Sequence, residues 1–377
     1  MKIALLTEKY TPDIGGLAIS TERLALLLTY AGHNVRVFAP TLGLPPSEQR
    51  TLPSSGVTVT RFGAHKRVDD TLVNWFEFIL EEHRREPFDV LQAYFLTQAG
   101  FVATLAGRYL KTPSVVSIRG NDVDRAAFDP SRFSHSMFAL QNANVVTANA
   151  KESIRKAKAF FDREIVLIPS GVDAEHFKPL QRNEGLVKSI GLDTKVVIGF
   201  AGELREKKGL KTLLTACALV SKRQPVTLLI VGEVRRGEDR QAFDEFVMMN
   251  PNLQIIVTGY ISPKDLPAYY SLMDVFIHPS LRDGIPNAIL EAMACEKTVI
   301  ATPVGGILDI LEDGKNGMFV KVNDATMLAE KIRKLFENQS LRTSLGKRAR
   351  EIVVEKFTLE KELAANLDIY RRLGLKA

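Results

Sequence analysis

Apolar residues fall along this chain in short runs, separated by longer stretches whose apolar positions recur every three or four residues. The short runs predict strands at Ile3–Thr7, Val35–Ala39, Val90–Ala93, Val115–Ile118, Val145–Ala148 and Ile165–Ile168. Between the first two, Leu24, Leu27, Leu28 and Ala31 share one face of a helix over Thr21 to Ala31, and Gly32 ends it. Residues 41–56 are rich in Pro and Ser and read as loop. A connector without periodicity, PSGVDAEHFKPLQRNEG, follows, and then the pattern restarts. Strands are predicted at Val196–Ala201, Thr227–Val231, Leu253–Val257, Val275–His278, Thr298–Ala301 and Met318–Val320, and residues 324–373 read as helix almost throughout. Strand–helix alternation in both halves predicts an α/β protein with two doubly wound parallel sheets.

A chain of 377 residues is long for one domain, and the boundary is expected near residues 173–190. The composition, 45% hydrophobic and 25% charged, is that of an ordinary globular protein. No apolar run approaches the roughly 20 residues of a membrane span, and MKIALLTEKY is not a basic-then-apolar leader. Cys217 and Cys295 are the only cysteines, which excludes a disulfide framework and a cysteine-rich metal site. The expected location is the cytoplasm. The net charge of +6 is spread over both halves rather than gathered in a stripe, which argues against a nucleic-acid partner. Arg155, Lys156 and Lys158 form a small cluster that reads as a solvated helix face rather than a membrane site.

The candidate chemistry concentrates between Asp274 and Gly306. Asp283 lies in a loop after a strand, and Glu291 lies eight positions on, inside the following helix. Gly284 lets backbone approach a ligand, and Pro286 suits a helix start. Free N–H groups at that start favour an anion. Two carboxylates, a glycine and a helix N-terminus suit a pyrophosphate-linked sugar; an ordinary βα unit with solvated acids is the other reading. Arg205 and Lys208 in GELREKKGL precede Gly209 and a helix. They suit a diphosphate, or are simply a basic loop in water. Gly15-Gly16 stands between a strand and a helix and resembles a Rossmann entry. The full G-x-G-x-x-G is absent, so a nicotinamide cofactor is not expected. Asp122-Val123-Asp124 spells D-x-D, but no metal is expected there. The histidines have no metal-ligand spacing, and His33 and His278 read as structural.

Taken in order, these segments resemble the family 4 (group 1) glycosyltransferases. The resemblance rests on P-x-x-Gly15-Gly16 with Gly32-His33-x-Val35, and on Pro169-Ser170-Gly171-Val172-Asp173 with Phe177 and Pro179. It continues through Gly202 to Gly209, Val231-Gly232-Glu233, Gly259-Tyr260-Ile261 and Pro279-Ser280 through Ala294. Gly305-Gly306 with Asp309, and Asp313-Gly314-x-Asn316-Gly317, complete it. The resemblance implies the GT-B fold: two Rossmann-like doubly wound domains facing across a cleft. Residues 1–175 would form the acceptor side and 185–357 the nucleotide-sugar donor side, with 358–377 a helix crossing back to the first domain. It implies transfer of a hexosyl-type sugar from a UDP or GDP donor, with retention of configuration and without a metal or other cofactor. The acceptor would be a saccharide or a lipid-linked molecule, in the synthesis of surface polysaccharide or glycoconjugate. A weak peripheral association with the inner face of the membrane stays open.

Asp283, Arg205, Lys208 and Glu291 are the implied catalytic set, with Arg205 and Lys208 on the diphosphate and Glu291 on the ribose. Gly15, Gly16, Gly202, Glu233, Gly284, Ile285, Pro286 and Asn287 would help to bind the donor, and Gly259, Tyr260 and Ile261 would lie against the base. Three positions depart from the family pattern. Its Glu-x7-Glu is Asp-x7-Glu here, with Asp283 one methylene shorter. The usual phosphate arginine directly after the glycine is Glu203, and Arg205 is expected to replace it if the strand continues and keeps both on one side. A His-Gly-x-Asp element is Arg119-Gly120-Asn121-Asp122, whose arginine cannot act as a base. Arg119, Asn121 and Asp122 are therefore expected to bind an anion or the acceptor; an ion pair of Arg119 with Asp122 or Asp124 is the alternative. A nucleotide-sugar-binding homologue with altered chemistry, an epimerase or a non-catalytic partner, is the competing functional reading.

Overall fold

The structure, a computed structural model, describes residues 1–13, 15–124, 128–193 and 196–377. The chain forms two compact units. Met1–Ser170 and Glu360–Ala377 make the first, and Gly171–Leu359 makes the second.

The first unit holds β1 (Lys2–Thr7), β2 (Asn34–Pro46), β3 (Gln49–Ser54), β4 (Val57–Gly63), β5 (Val90–Tyr94), β6 (Ser114–Ile118), β7 (Val145–Ala148) and β8 (Val166–Leu167). They form one sheet in the order β3-β4-β2-β1-β5-β6-β7-β8, parallel except for the antiparallel β3–β4 pair. The inner strands β1, β5 and β6 are buried at every position, which is why they read as continuous apolar runs. The expectation of a loop over 41–56 needs correction, since β2 runs on to Pro46 and β3 occupies Gln49–Ser54. Every residue of β3 is exposed, so no apolar alternation marks it. Its register on β4 is held by backbone pairing and by one side-chain hydrogen bond, between the Thr51 and Thr60 hydroxyls at 2.9 Å. The first helix also starts earlier than expected, at Gly16, with Gly15 at its N-cap and φ of 137°. The last helix, Leu359–Arg372, is tied into this unit by ion pairing of Arg23 with Glu362 at 2.8 Å and by the Tyr370 hydroxyl donating to Gln92.

The second unit holds β9 (Val197–Ala201), β10 (Thr227–Val231), β11 (Gln254–Val257), β12 (Val275–His278), β13 (Thr298–Ala301) and β14 (Met318–Phe319). All pair in parallel, in the order β11-β10-β9-β12-β13-β14. Ile198, Phe200, Leu228, Ile230, Val275 and Ile277 belong to one core cluster with Leu213, Leu214 and Cys217 of the helix Leu210–Ser221. The connectivity reverses between neighbouring strands: β9 leads outward to β10, whereas β12 leads outward to β13. The loops that leave the carboxyl ends of β9 and β12 therefore diverge. In an open α/β sheet, that divergence opens a crevice suited to a ligand.

Candidate active site

The loop after β9 and the loop after β12 meet above this reversal. Strand β9 ends at Ala201, and a 3-10 turn at Glu206–Lys208 leads into Gly209 and the next helix. Gly209 has φ of 79°, and a Cβ there would lie 2.1 Å from the Pro279 carbonyl oxygen. Only glycine allows that approach. The Leu281 N–H donates to the Lys207 carbonyl at 2.9 Å, which joins the two loops directly. The loop after β13 closes in from the other side. Gly305, at φ of 55°, would place a Cβ 1.7 Å from the Asp283 carbonyl oxygen.

These approaches set Lys208 against Asp283. The Lys208 ammonium donates to Asp283 Oδ2. The same oxygen accepts from His278 Nε2 at 3.0 Å and from the Ser280 hydroxyl at 3.3 Å. Burial alone would raise the Asp283 pKa. The Lys208 charge and the bonds from His278 and Lys208 outweigh it, and the carboxyl stays well below the usual carboxylate range. His278 ends β12, is buried, and stacks with Phe200 and Phe276 at interplanar angles of 9° and 20°. Burial, aided by the Lys208 charge, lowers its pKa against the pull of Asp283.

Asn287–Ala294 is the helix after this loop. Pro286 is its N-cap, one position before the expected first helical turn. No side chain caps the N-terminus, and no acid stands in the first turn. Ile285 and Pro286 are buried, while Gly284 and Asn287 are half-buried. Glu291 lies on the same helix, and its Oε2 accepts from the Tyr270 hydroxyl at 2.7 Å. Burial first, then the Glu291 charge, pushes Tyr270 well above its ordinary pKa.

Arg205 shares the Lys208 loop. β9 stops at Ala201, but the chain pairs once more at Leu204, which bridges Val234 in parallel, and Arg205 after it is extended. Its guanidinium pairs with Glu203 at 3.3 Å, and its buried Nε has no hydrogen-bond partner among the described residues. Gly202, Gly232 and Gly259 form the next rim. Gly202 N–H donates to Val231, a Cβ on Gly232 would lie 2.2 Å from the Gly202 oxygen, and Gly259 N–H donates to Gly232 at 3.1 Å. Glu233 and Tyr260 are exposed there and Ile261 is half-buried. Beside Tyr260 lies a hollow of about 380 Å³, lined among others by Leu186, Ile261, Asp265 and Tyr269.

Gly15, Gly16, Arg119, Asn121 and Asp122 belong to the first unit. The Arg119 guanidinium lies 4.4 Å from the Tyr94 ring centroid and donates to the Ser170 hydroxyl at 3.2 Å, so neither Asp122 nor Asp124 is its ion-pair partner. Asn121 opens a short helix, Asn121–Asp124. Asp122 requires a correction. It is 3% exposed, and its carboxylate accepts the backbone N–H groups of Leu96, Arg119 and Gly120. Burial pushes it up to about 6 against those bonds. A buried carboxylate occupied in this way shapes the loop rather than receiving an anion. Asp124 pairs with Lys156 at 2.5 Å. Besides the pairing of Lys208 with Asp283, three contacts of the site were not legible in the motifs: His278 and Ser280 on Asp283, and Tyr270 on Glu291. The first two stand five and three positions before Asp283, a local signal; Tyr270 is 21 positions from Glu291 and carried none.

Comparison with known proteins agrees with this architecture. Residues 184–352 match the model for "Glycosyl transferases group 1", and residues 14–176 match that for "Glycosyltransferase Family 4". The chain belongs to the group 1 glycosyltransferases and has the GT-B fold. Among its relatives, the capsular polysaccharide biosynthesis glycosyltransferase CapM of Staphylococcus aureus is 28% identical over 76% of this chain and 77% of its own. A GDP-mannose-dependent alpha-mannosyltransferase of Corynebacterium glutamicum is 26% identical over 86% of this chain and 78% of its own. The solved structure of Anabaena HepE in complex with UDP-glucose superposes with a TM-score of 0.81 at 20% identity. It covers 98% of this chain and 99% of that one.

Proposed function

We propose that this glycosyltransferase moves a hexosyl-type sugar from a UDP or GDP donor to a saccharide or lipid-linked acceptor with retention of configuration, in the synthesis of surface polysaccharide or glycoconjugate. The observation that carries the reading is the Lys208–Asp283 pair at the reversal of the second sheet. It puts a cation for the diphosphate beside a carboxylate for a sugar hydroxyl, where a parallel sheet offers a ligand crevice. The uncapped N-terminus at Asn287 supports a phosphate nearby. Glu291 would hold the ribose, and the hollow beside Tyr260 suits the base. The relatives named for GDP-mannose and bound to UDP-glucose support the donor class.

In the proposed reaction the bond from the anomeric carbon to the diphosphate breaks, and the acceptor oxygen bonds to the same face of that carbon. The acceptor proton passes to the departing phosphate oxygen, so no protein base is required. Lys208 and Arg205 would stabilise the charge on the leaving group. Arg119 is proposed to meet an anionic acceptor. A lipid-linked acceptor would bring the protein to the inner face of the membrane, although no described helix is long and apolar enough to cross one. The test is calorimetry against UDP- and GDP-sugars, followed by NMR of the products, which reads anomeric configuration and epimerisation. Binding with transfer and retention supports the reading; binding with epimerised product, or with no turnover, replaces it with the altered-chemistry homologue.

A further inference from the structure

We infer that His278 is a positioning residue for the transfer: its Nε2–H, with the Ser280 hydroxyl, holds Asp283 Oδ2 so that Oδ1 faces the donor sugar after Lys208 has turned to the diphosphate. The inference rests on the proposed role of Asp283 toward the sugar. All three donors converge on one oxygen of the carboxylate, Oδ2. A carboxylate has two oxygens to offer, and this distribution leaves Oδ1 to a ligand. Lys208 cannot serve Asp283 and a diphosphate equally well. When its ammonium moves toward the stronger anion, a largely buried carboxylate loses its lysine partner. Without other donors it would protonate or rotate.

His278 is built to stay behind. Its ring is buried and stacked between Phe200 and Phe276, so it cannot follow the substrate. Its Nδ1 is buried without a partner among the described residues. An imidazolium would put an unanswered N–H donor at that nitrogen, so the environment selects the neutral ring. Contact with an ionised carboxylate then selects the tautomer that carries its proton on Nε2. The result is a fixed, uncharged donor that holds the carboxylate in place without competing for the phosphate.

Two measurements test this. In 15N-histidine spectra of the wild-type protein, with His278 assigned by difference from H278Q, the ring should be neutral with the proton on Nε2. An imidazolium, or a proton on Nδ1, would overturn the inference, and this readout needs no donor. The second compares kcat against pH for turnover of UDP-glucose or GDP-mannose in wild type, His278→Leu, His278→Gln and Phe276→Leu. Loss of the donor in His278→Leu should lower kcat about tenfold, the effect of losing a hydrogen bond to a charged group. It should also move the acid limb up by about one pH unit. His278→Gln, which places an amide N–H near the lost Nε2–H, should restore the limb, and Phe276→Leu, which loosens the ring but keeps its N–H donor, should move it less than His278→Leu does. An unmoved limb in His278→Leu, or equal profiles for the Leu and Gln variants, would overturn the inference. Absence of wild-type turnover with every nucleotide sugar would count against the proposed function, and the tautomer would still decide the role of His278.

Discussion

Lys208 and Asp283 stand 75 residues apart in the chain, on loops from two neighbouring strands, and meet as an ion pair with both side chains largely buried. Sequence spacing could not show that pairing. It follows from the adjacency of β9 and β12, with the two loops locked by Gly209 against Pro279 and by Leu281 on Lys207.

Removing the ammonium separates its two roles. Lys208→Ala should lower turnover by about 10²-fold or more, the range for losing a charge partner of the transition state. Arg205→Ala should do the same if its guanidinium leaves Glu203 for the diphosphate. Steady-state kinetics with the selected donor decide this, and wild-type kcat in both variants would remove them from the chemistry.

The depressed Asp283 pKa predicts a pH dependence of stability. The folded carboxyl titrates below its unfolded value of about 3.9, so its contribution is complete above pH ~4 and is lost as the pH falls toward the folded pKa. The difference in urea midpoint between wild type and Asp283→Asn should therefore be largest near pH 6 and shrink toward pH 3. A constant difference across that range would contradict the ion pair as a stabilising element.

Two glycines with similar backbone angles should respond differently to alanine. Gly305 has φ of 55° with the Asp283 carbonyl in the space of a Cβ, and Gly314 has φ of 72° with nothing within 4 Å. Gly314→Ala should cost about 1 kcal/mol from backbone strain alone. Gly305→Ala should cost about 2 kcal/mol or more and also reduce activity, because the loop carrying Asp283 must shift. Chemical denaturation beside transfer assays separates the two; equal losses would show that the Gly305 contact relaxes freely.

The strands that position the site were legible because they are buried on both faces. Thr227–Val231, Val275–His278 and Thr298–Ala301 were read at their observed limits. β3 was not, since its exposed side chains carry no burial pattern. The site residues were legible as types in ordered motifs, which gave Asp283, Lys208 and Glu291 a chemistry but no partners. The structure supplies these: Lys208, His278 and Ser280 around Asp283, and Tyr270 on Glu291. Asp122 shows the limit of such reading, because its motif gives no sign that its carboxylate turns inward to backbone N–H groups.

The central claim is a division of labour, with Asp283 on the donor sugar and Glu291 on the nucleoside. Calorimetry of UDP and UDP-glucose, or of GDP and GDP-mannose, against Asp283→Asn and Glu291→Gln tests it most directly, with transfer assays alongside. The account predicts that Asp283→Asn retains nucleoside diphosphate affinity but loses sugar transfer, because an amide keeps the shape and weakens a charge-assisted hydrogen bond. Glu291→Gln should weaken both the diphosphate and the sugar donor. Equal loss of diphosphate affinity in the two variants would contradict the division.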